Sequence, residues 1–298
     1  MRIAVSGSSG LVGSAVVSTL RARGHEVLRL VRSEPDPSAG RVLWDPLRGE
    51  IDAASLEGVD GVVHLAGESV SGGRWNERRK AAIRESRIEG SRILSLALAS
   101  LTRPPSVLIQ ASAMGFYGDR GEEVLDEQAS VGEGFLADLA RDWEAQSVPA
   151  AEAGIRVVHP RISLVLSKEG GAWPRLVKPF RMGLGGKLGN GRQWMSWIHL
   201  EDLVEVIVQG LEKEEWSGAL NACTSTPMRN VDFGHAIGRR LHRPTAFPAP
   251  AWVLRLLLGE MADGLLLASV RMKPAVLEAS EFRFRYADLG SALDELLS

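Results

Sequence analysis

Seven residues near the start of the chain, Gly7-Ser8-Ser9-Gly10-Leu11-Val12-Gly13, join the apolar run RIAVS to the amphipathic stretch LVGSAVVSTLRARG. Few folds place three glycines at this spacing between a strand and a helix. Gly7 suits a tight turn, Gly10 lets the backbone approach a diphosphate, and Gly13 lets helix and strand pack closely. The helix would open with unpaired N–H groups from Ser9, Gly10, Leu11 and Val12, a ready seat for an anion. The plainer alternative is a glycine turn that serves only a tight strand-to-helix connection. The second apolar run, EVLRLV, ends at Arg32, where an NAD site usually carries a carboxylate for the ribose 2′-hydroxyl. A guanidinium matches a 2′-phosphate instead, so the expected cofactor is NADP(H). A solvated Arg32, with Glu34 serving a 2′-hydroxyl, is the competing reading.

The first ~160 residues alternate short apolar runs with helical patterns, the mark of βαβ units. The runs are Arg2–Val5, Glu26–Val31, Gly61–Leu65, Ser106–Gln110 and Ile155–His159. Helices are expected over Leu11–Arg23, Asn76–Leu101 and Phe135–Ala153. This predicts an α/β fold with a doubly wound parallel sheet and right-handed crossovers. Beyond residue 160 the texture changes. Gly183–Trp194 reads as an ordered loop, a helix begins near Leu200, and Pro244, Pro248 and Pro250 mark a boundary. The expected division is a dinucleotide-binding domain over 1–243, with substrate-lobe segments within about 161–200, and a small α+β C-terminal domain over 244–298. In that tail, FRFRY at Phe282–Tyr286 looks like a strand.

The 298 residues carry a formal net charge of −2, which points to neither a nucleic-acid nor a membrane partner. The start of the chain lacks the pattern of a secretory signal, so the cytoplasm is the expected compartment. The one cysteine, Cys223, permits no internal disulfide and reads as a small buried residue. The six histidines show no paired ligand spacing, so no metal is expected.

Three further segments resemble the extended short-chain dehydrogenase/reductases, the family of nucleotide-sugar epimerases and dehydratases. VVHLAGE (Val62–Glu68) is similar to that family's strand-end turn. SRIEGSRIL (Ser86–Leu94) resembles its helix beside the nicotinamide, and SAMGFYG (Ser112–Gly118) its serine-to-tyrosine segment. GLGGKLGNGRQWMSWIHLEDL and the tail resemble an atypical branch of epimerase family proteins with a small C-terminal domain of unknown function. The resemblance implies a Rossmann fold binding NADP(H). It also implies cofactor contacts from Leu65, Ala66, Gly67, Arg87, Ala111, Pro160 and Arg161, and a homodimer through the helices at 76–101 and 135–153.

One departure from the family matters for chemistry. Its members pair a tyrosine with a lysine four residues later, and the pair exchanges a proton with the substrate oxygen. The corresponding helix here, GFLADLARDWE, puts Leu136 and Ala140 at those places, and no Tyr-x-x-x-Lys occurs anywhere in the chain. Ser112 fits the family's serine. Tyr117 and Glu68 are the substitute proton-transfer candidates, against a packed aromatic and a solvated loop charge. Arg161 could hold an anionic substrate group or form a buried ion pair. His199 reads as structural. Lys178, with Arg181, Lys187 and Arg192, could clamp an anion, and Trp194 and Trp197 could wall a substrate; solvated charges and core packing are the alternatives. Two functions stay open. One is an NADP(H)-dependent epimerase or oxidoreductase acting on a small polar substrate with a non-standard proton-transfer group. The other is a non-catalytic NADP(H)-binding sensor or interaction protein.

Overall fold

A computed structural model describes all residues, 1–298. Eight parallel strands belong to the central sheet: seven run in the order Gly218–Ala222, Arg156–Ile162, Val107–Gln110, Gly61–His64, Arg2–Ser6, Glu26–Val31, Arg41–Asp45, and the short Ser112–Ala113 pairs with the end of Arg156–Ile162. Glu50–Ile51 closes one edge antiparallel to Arg41–Asp45. The chain starts in the middle, runs outward for two strands, then returns to the other side of Arg2–Ser6. The order therefore reverses between Ser6 and His64, and a crevice opens at their carboxyl ends, where doubly wound sheets take ligands.

Both faces of the sheet are covered, which is why its strands read as continuous apolar runs. On one face the helix Leu11–Ala22 buries Gly13, Val16, Val17 and Leu20, a spacing of three, one and three residues that keeps them on one stripe. It shares a core of 22 residues with the helix Leu200–Glu212 and the strands between. On the other face Leu94 and Leu98, from the long helix Glu77–Ala99, join Trp44, Val62 and Leu108. A third core holds Trp173, Phe180, Trp197 and Phe233 together with Leu289, Leu293 and Leu296 of the last helix.

Several elements differ from the sequence expectation. Arg41–Asp45 and Gly218–Ala222 are additional strands. The expected 135–153 helix is two, Phe135–Ala145 and Val148–Glu152, because Pro149 supplies no amide to carry the ladder through. The strand expected to stop at His159 continues through Pro160 and Arg161 to Ile162, in register with Gly218–Ala222. FRFRY forms no strand. The buried Asp202 carboxylate accepts the Arg285 and Tyr286 amides at 2.7 and 3.0 Å, which satisfies them without a ladder partner.

Candidate functional site

The crevice is built first from the glycine turn. Gly7 sits at φ +66°, and a Cβ there would lie 2.8 Å from the Ala66 nitrogen. A Cβ on Gly13 would stand 2.1 Å from the Gly7 carbonyl oxygen, so only glycine lets the helix rest on the strand end. The Gly10 amide donates to the Gly7 carbonyl at 3.0 Å, and the Ser14 amide to the Gly10 carbonyl at 2.8 Å. Leu11, Val12 and Gly13 are the first three residues of the helix, and no side chain caps it. Their amides are aimed along the helix axis into the crevice, with the positive end of its dipole. Ser9 and Gly10 are exposed beside them.

Arg32 is exposed just past the second strand. Glu34, the alternative acceptor for a 2′-hydroxyl, lies 3.8 Å from Arg41, which also approaches Asp36 at 3.6 Å. Arg29, on the same strand, donates to the Ser8 hydroxyl at 3.1 Å and ties the turn to its neighbour. Arg32 makes no ion pair, while Glu34 and Asp36 both lie within 4 Å of Arg41. The bare amides, the space kept open by Gly7 and Gly13, and Arg32 together fit a phosphorylated dinucleotide.

Across the crevice the Leu65-Ala66-Gly67 turn is held from behind. The Ser6 hydroxyl accepts from the Leu65 and Ala66 amides at 3.2 and 3.4 Å and meets His64 Nδ1 at 2.6 Å. His64 Nε2 meets the Ser91 hydroxyl at 3.0 Å, which also accepts from Trp143 Nε1 at 2.8 Å. Burial, with Arg87 nearby, pushes the His64 pKa down to about 4, so the imidazole is neutral. Arg87 donates to the Glu68 carbonyl at 2.9 Å and lies over the Trp143 ring. Its guanidinium carbon would be 3.0 Å from a Cβ on Gly67, so it backs the turn directly. Burial lowers its pKa to about 10, which leaves it charged at neutral pH. Glu68 faces solvent and pairs with Arg79 at 2.8 Å.

Ser112, Glu144, Arg161 and Tyr117 meet in one buried cluster. The Ser112 hydroxyl donates to Glu144 Oε1 at 2.6 Å. Arg161 clasps the same carboxylate with Nε and Nη2, at 2.9 and 3.0 Å, and stacks on Phe116 with 3.5 Å from guanidinium carbon to ring centre. Its Nη1 donates to the Tyr117 hydroxyl at 3.0 Å, and that hydroxyl donates to Asn221 Oδ1 at 2.7 Å. Beyond Asn221, the Glu127 carboxylate accepts from the Asn221, Ala275 and Val276 amides. The cluster therefore runs from Ser112 to the C-terminal segment.

The structure places the other sequence candidates as follows. Tyr117 is fully buried, burial raises its pKa to about 12, and both sides of its hydroxyl are engaged, so it is not placed to exchange protons with a ligand. Arg161, one residue before the strand's end at Ile162, is buried with its side chain locked to Glu144. Pro160 is likewise inside the strand, opposite Leu220. Trp197 is fully buried in the third core, with Nε1 on the Thr226 carbonyl, and walls no substrate. Ala111 lies buried behind the crevice, its amide on the His64 carbonyl. Lys178 is exposed on the helix Trp173–Arg181. His199 is buried, meeting Glu295 of the last helix at 3.1 Å. No group of side chains suits a metal ion, and no helix is long and apolar enough to cross a membrane.

The position matching the family's tyrosine has an apolar covering. A Cβ on Gly264 would lie 3.5 Å from the Leu136 side chain and 3.0 Å from the Trp75 ring, and Trp75 packs edge-on against Phe135. Lys80 pairs with Glu260, just before this stretch. Residues 260–267 thus close over the start of the helix Phe135–Ala145. Sequence reasoning missed this covering, as it missed Glu127 and Asn221, because none belongs to a local motif; His64 lies within VVHLAGE, but nothing along the chain shows that its ring turns back to Ser6 and Ser91.

The family model described as the NAD dependent epimerase/dehydratase family matches residues 3–223, and a domain of unknown function, DUF1731, matches 249–296. An epimerase family protein of Mycobacterium leprae is 41% identical over 98% of this chain and 94% of its own length. The crystal structure of human epimerase family protein SDR39U1 (isoform 2) with NADPH is similar with a TM-score of 0.91 and 32% identity, over 99% of both chains. A nucleoside-diphosphate sugar epimerase from Corynebacterium glutamicum is similar with a TM-score of 0.82 and 38% identity, and this chain spans 58% of that longer one.

Proposed function

This chain belongs to the NAD-dependent epimerase/dehydratase family, and from that membership we propose that it holds NADP(H) at the Gly7–Gly13 turn but lacks the family's route for moving a proton to or from a substrate oxygen. Leu11, Val12 and Gly13 would take the diphosphate on their amides. Arg32 would take the 2′-phosphate. Leu65, Ala66 and Gly67, backed by Ser6, His64 and Arg87, would line the opposite wall. The human relative crystallised with NADPH supports this choice of cofactor. When bound, a nicotinamide dinucleotide supplies or accepts a hydride.

The observation that carries the second half is the inward turn of the Ser112 cluster. The Glu144 carboxylate accepts from Arg161 Nε and Nη2 and from the Ser112 hydroxyl, so the Ser112 proton is committed to Glu144. Ser112 then offers lone pairs, not a proton, to anything in the crevice. Leu136 and Ala140 move no proton, Tyr117 is sealed in, and Glu68 is paired with Arg79. This favours the binding reading over alcohol–ketone chemistry. A hydride partner that needs no protein acid remains compatible with the site.

The test is NADPH oxidation and NADP⁺ reduction by purified protein across a panel of carbonyls and alcohols, alongside cofactor titration. The expected result is saturable NADPH binding without turnover on the panel. Turnover that falls ~10²-fold in Ser112→Ala, with NADPH affinity retained, would refute the loss of proton transfer.

A further inference from the structure

The helix Asn230–Leu241 ends beside a concavity that belongs to none of the elements above. We propose that it is a second anion site, for the phosphate or diphosphate group of a soluble small molecule. A depression of about 420 Å³ is lined by His235, Arg239, His242, Arg243 and Thr245, with no hydrophobic residue. A second of about 290 Å³ shares His235 and Thr245 with it and adds Lys187 from the glycine-rich loop. No acidic side chain lines either one.

The concavity is rigidly framed. A Cβ on Gly238 would lie 2.2 Å from Thr245 Cγ2, so glycine there lets the returning loop fold against the helix. The Arg243 amide donates to the Gly238 carbonyl at 2.9 Å and the His242 amide to the Arg239 carbonyl at 3.2 Å. These bonds satisfy two of the four carbonyls at the helix end. Cations in a last helical turn can simply answer the dipole. That does not account for Lys187, which comes from a different segment, or for His235, which sits a turn and a half earlier. Arg240 makes the contrast: it lines neither depression and pairs with Asp294 at 2.5 Å. Arg239 and Arg243 line one depression and Lys187 the adjoining one, the two meeting at His235 and Thr245, and two guanidinium forks in one hollow suit tetrahedral oxyanions.

Isothermal titration of full-length, NADPH-saturated protein with inorganic pyrophosphate tests this, since NADPH keeps the probe off the glycine turn. One saturable event is expected, weakened about tenfold or more in Arg239→Gln/Arg243→Gln, while NADPH affinity stays unchanged in that variant. The exposed Lys187→Gln provides the same comparison if the double variant folds poorly. An absence of saturable heat up to about 10 mM, or binding that none of these substitutions weakens, overturns the proposal.

Discussion

Replacing Arg161 by methionine keeps most of the side-chain volume and removes the charge. Two bonds to Glu144 vanish, together with one each to the Tyr117 hydroxyl and the Glu127 carbonyl, and the stacking on Phe116. Side-chain exposures of 6% for Arg161 and 14% for Glu144 mean that water cannot take over. Removing one partner of such a pair costs roughly 3–5 kcal/mol, mostly from the charge left behind. Urea unfolding followed by tryptophan fluorescence should show that loss. Arg161→Met/Glu144→Gln should recover about 1–3 kcal/mol of it, because glutamine removes the orphaned charge yet still accepts from Ser112. NADPH affinity of the folded single variant should stay within about threefold of the parent. A loss under about 1 kcal/mol, or a tenfold loss of NADPH affinity without destabilisation, would refute the structural role and restore Arg161 to the cofactor.

Gly13→Ala should abolish NADPH binding at concentrations that saturate the parent, since the helix would have to withdraw by roughly 1 Å to clear the Gly7 carbonyl; unchanged fluorescence titration would contradict this. Tyr117→Phe should cost about 1–3 kcal/mol in thermal unfolding, by stranding Arg161 and Asn221 partners, and leave NADPH affinity unaltered. The folded-state pKa of His64 lies below its ordinary value of 6.5, at about 4, so its contribution is complete above the unfolded value and is lost as pH falls through that window. That contribution is about 3 kcal/mol, and a His64 imidazole found protonated at pH 5.5 by NMR would contradict it.

The sheet was legible where the chain repeats one physical pattern. Apolar runs bounded by turns marked five of its strands, and the glycine spacing marked the crevice. RVLWD escaped because a proline-rich loop precedes it, and GALNA because alanine and asparagine carry little strand preference. FRFRY has strand-like residues, but its amides find Asp202. At the site, residue types were visible and their directions were not. Ser112, Tyr117 and Arg161 look like a reactive set when read along the chain. Only the packing of Glu144 and Asn221 against them shows that their polar atoms face one another. Polar groups in sequence advertise chemistry equally well whether they point at a ligand or at each other.

The central claim is a phosphate-selective dinucleotide seat, and paired isotherms of NADPH and NADH on the parent protein and on Arg32→Gln test it most directly. NADPH should bind the parent about tenfold or more tighter than NADH, and the substitution should erase that difference while sparing NADH. Equal affinities in the parent, or no association of either dinucleotide at about 1 mM, would contradict it.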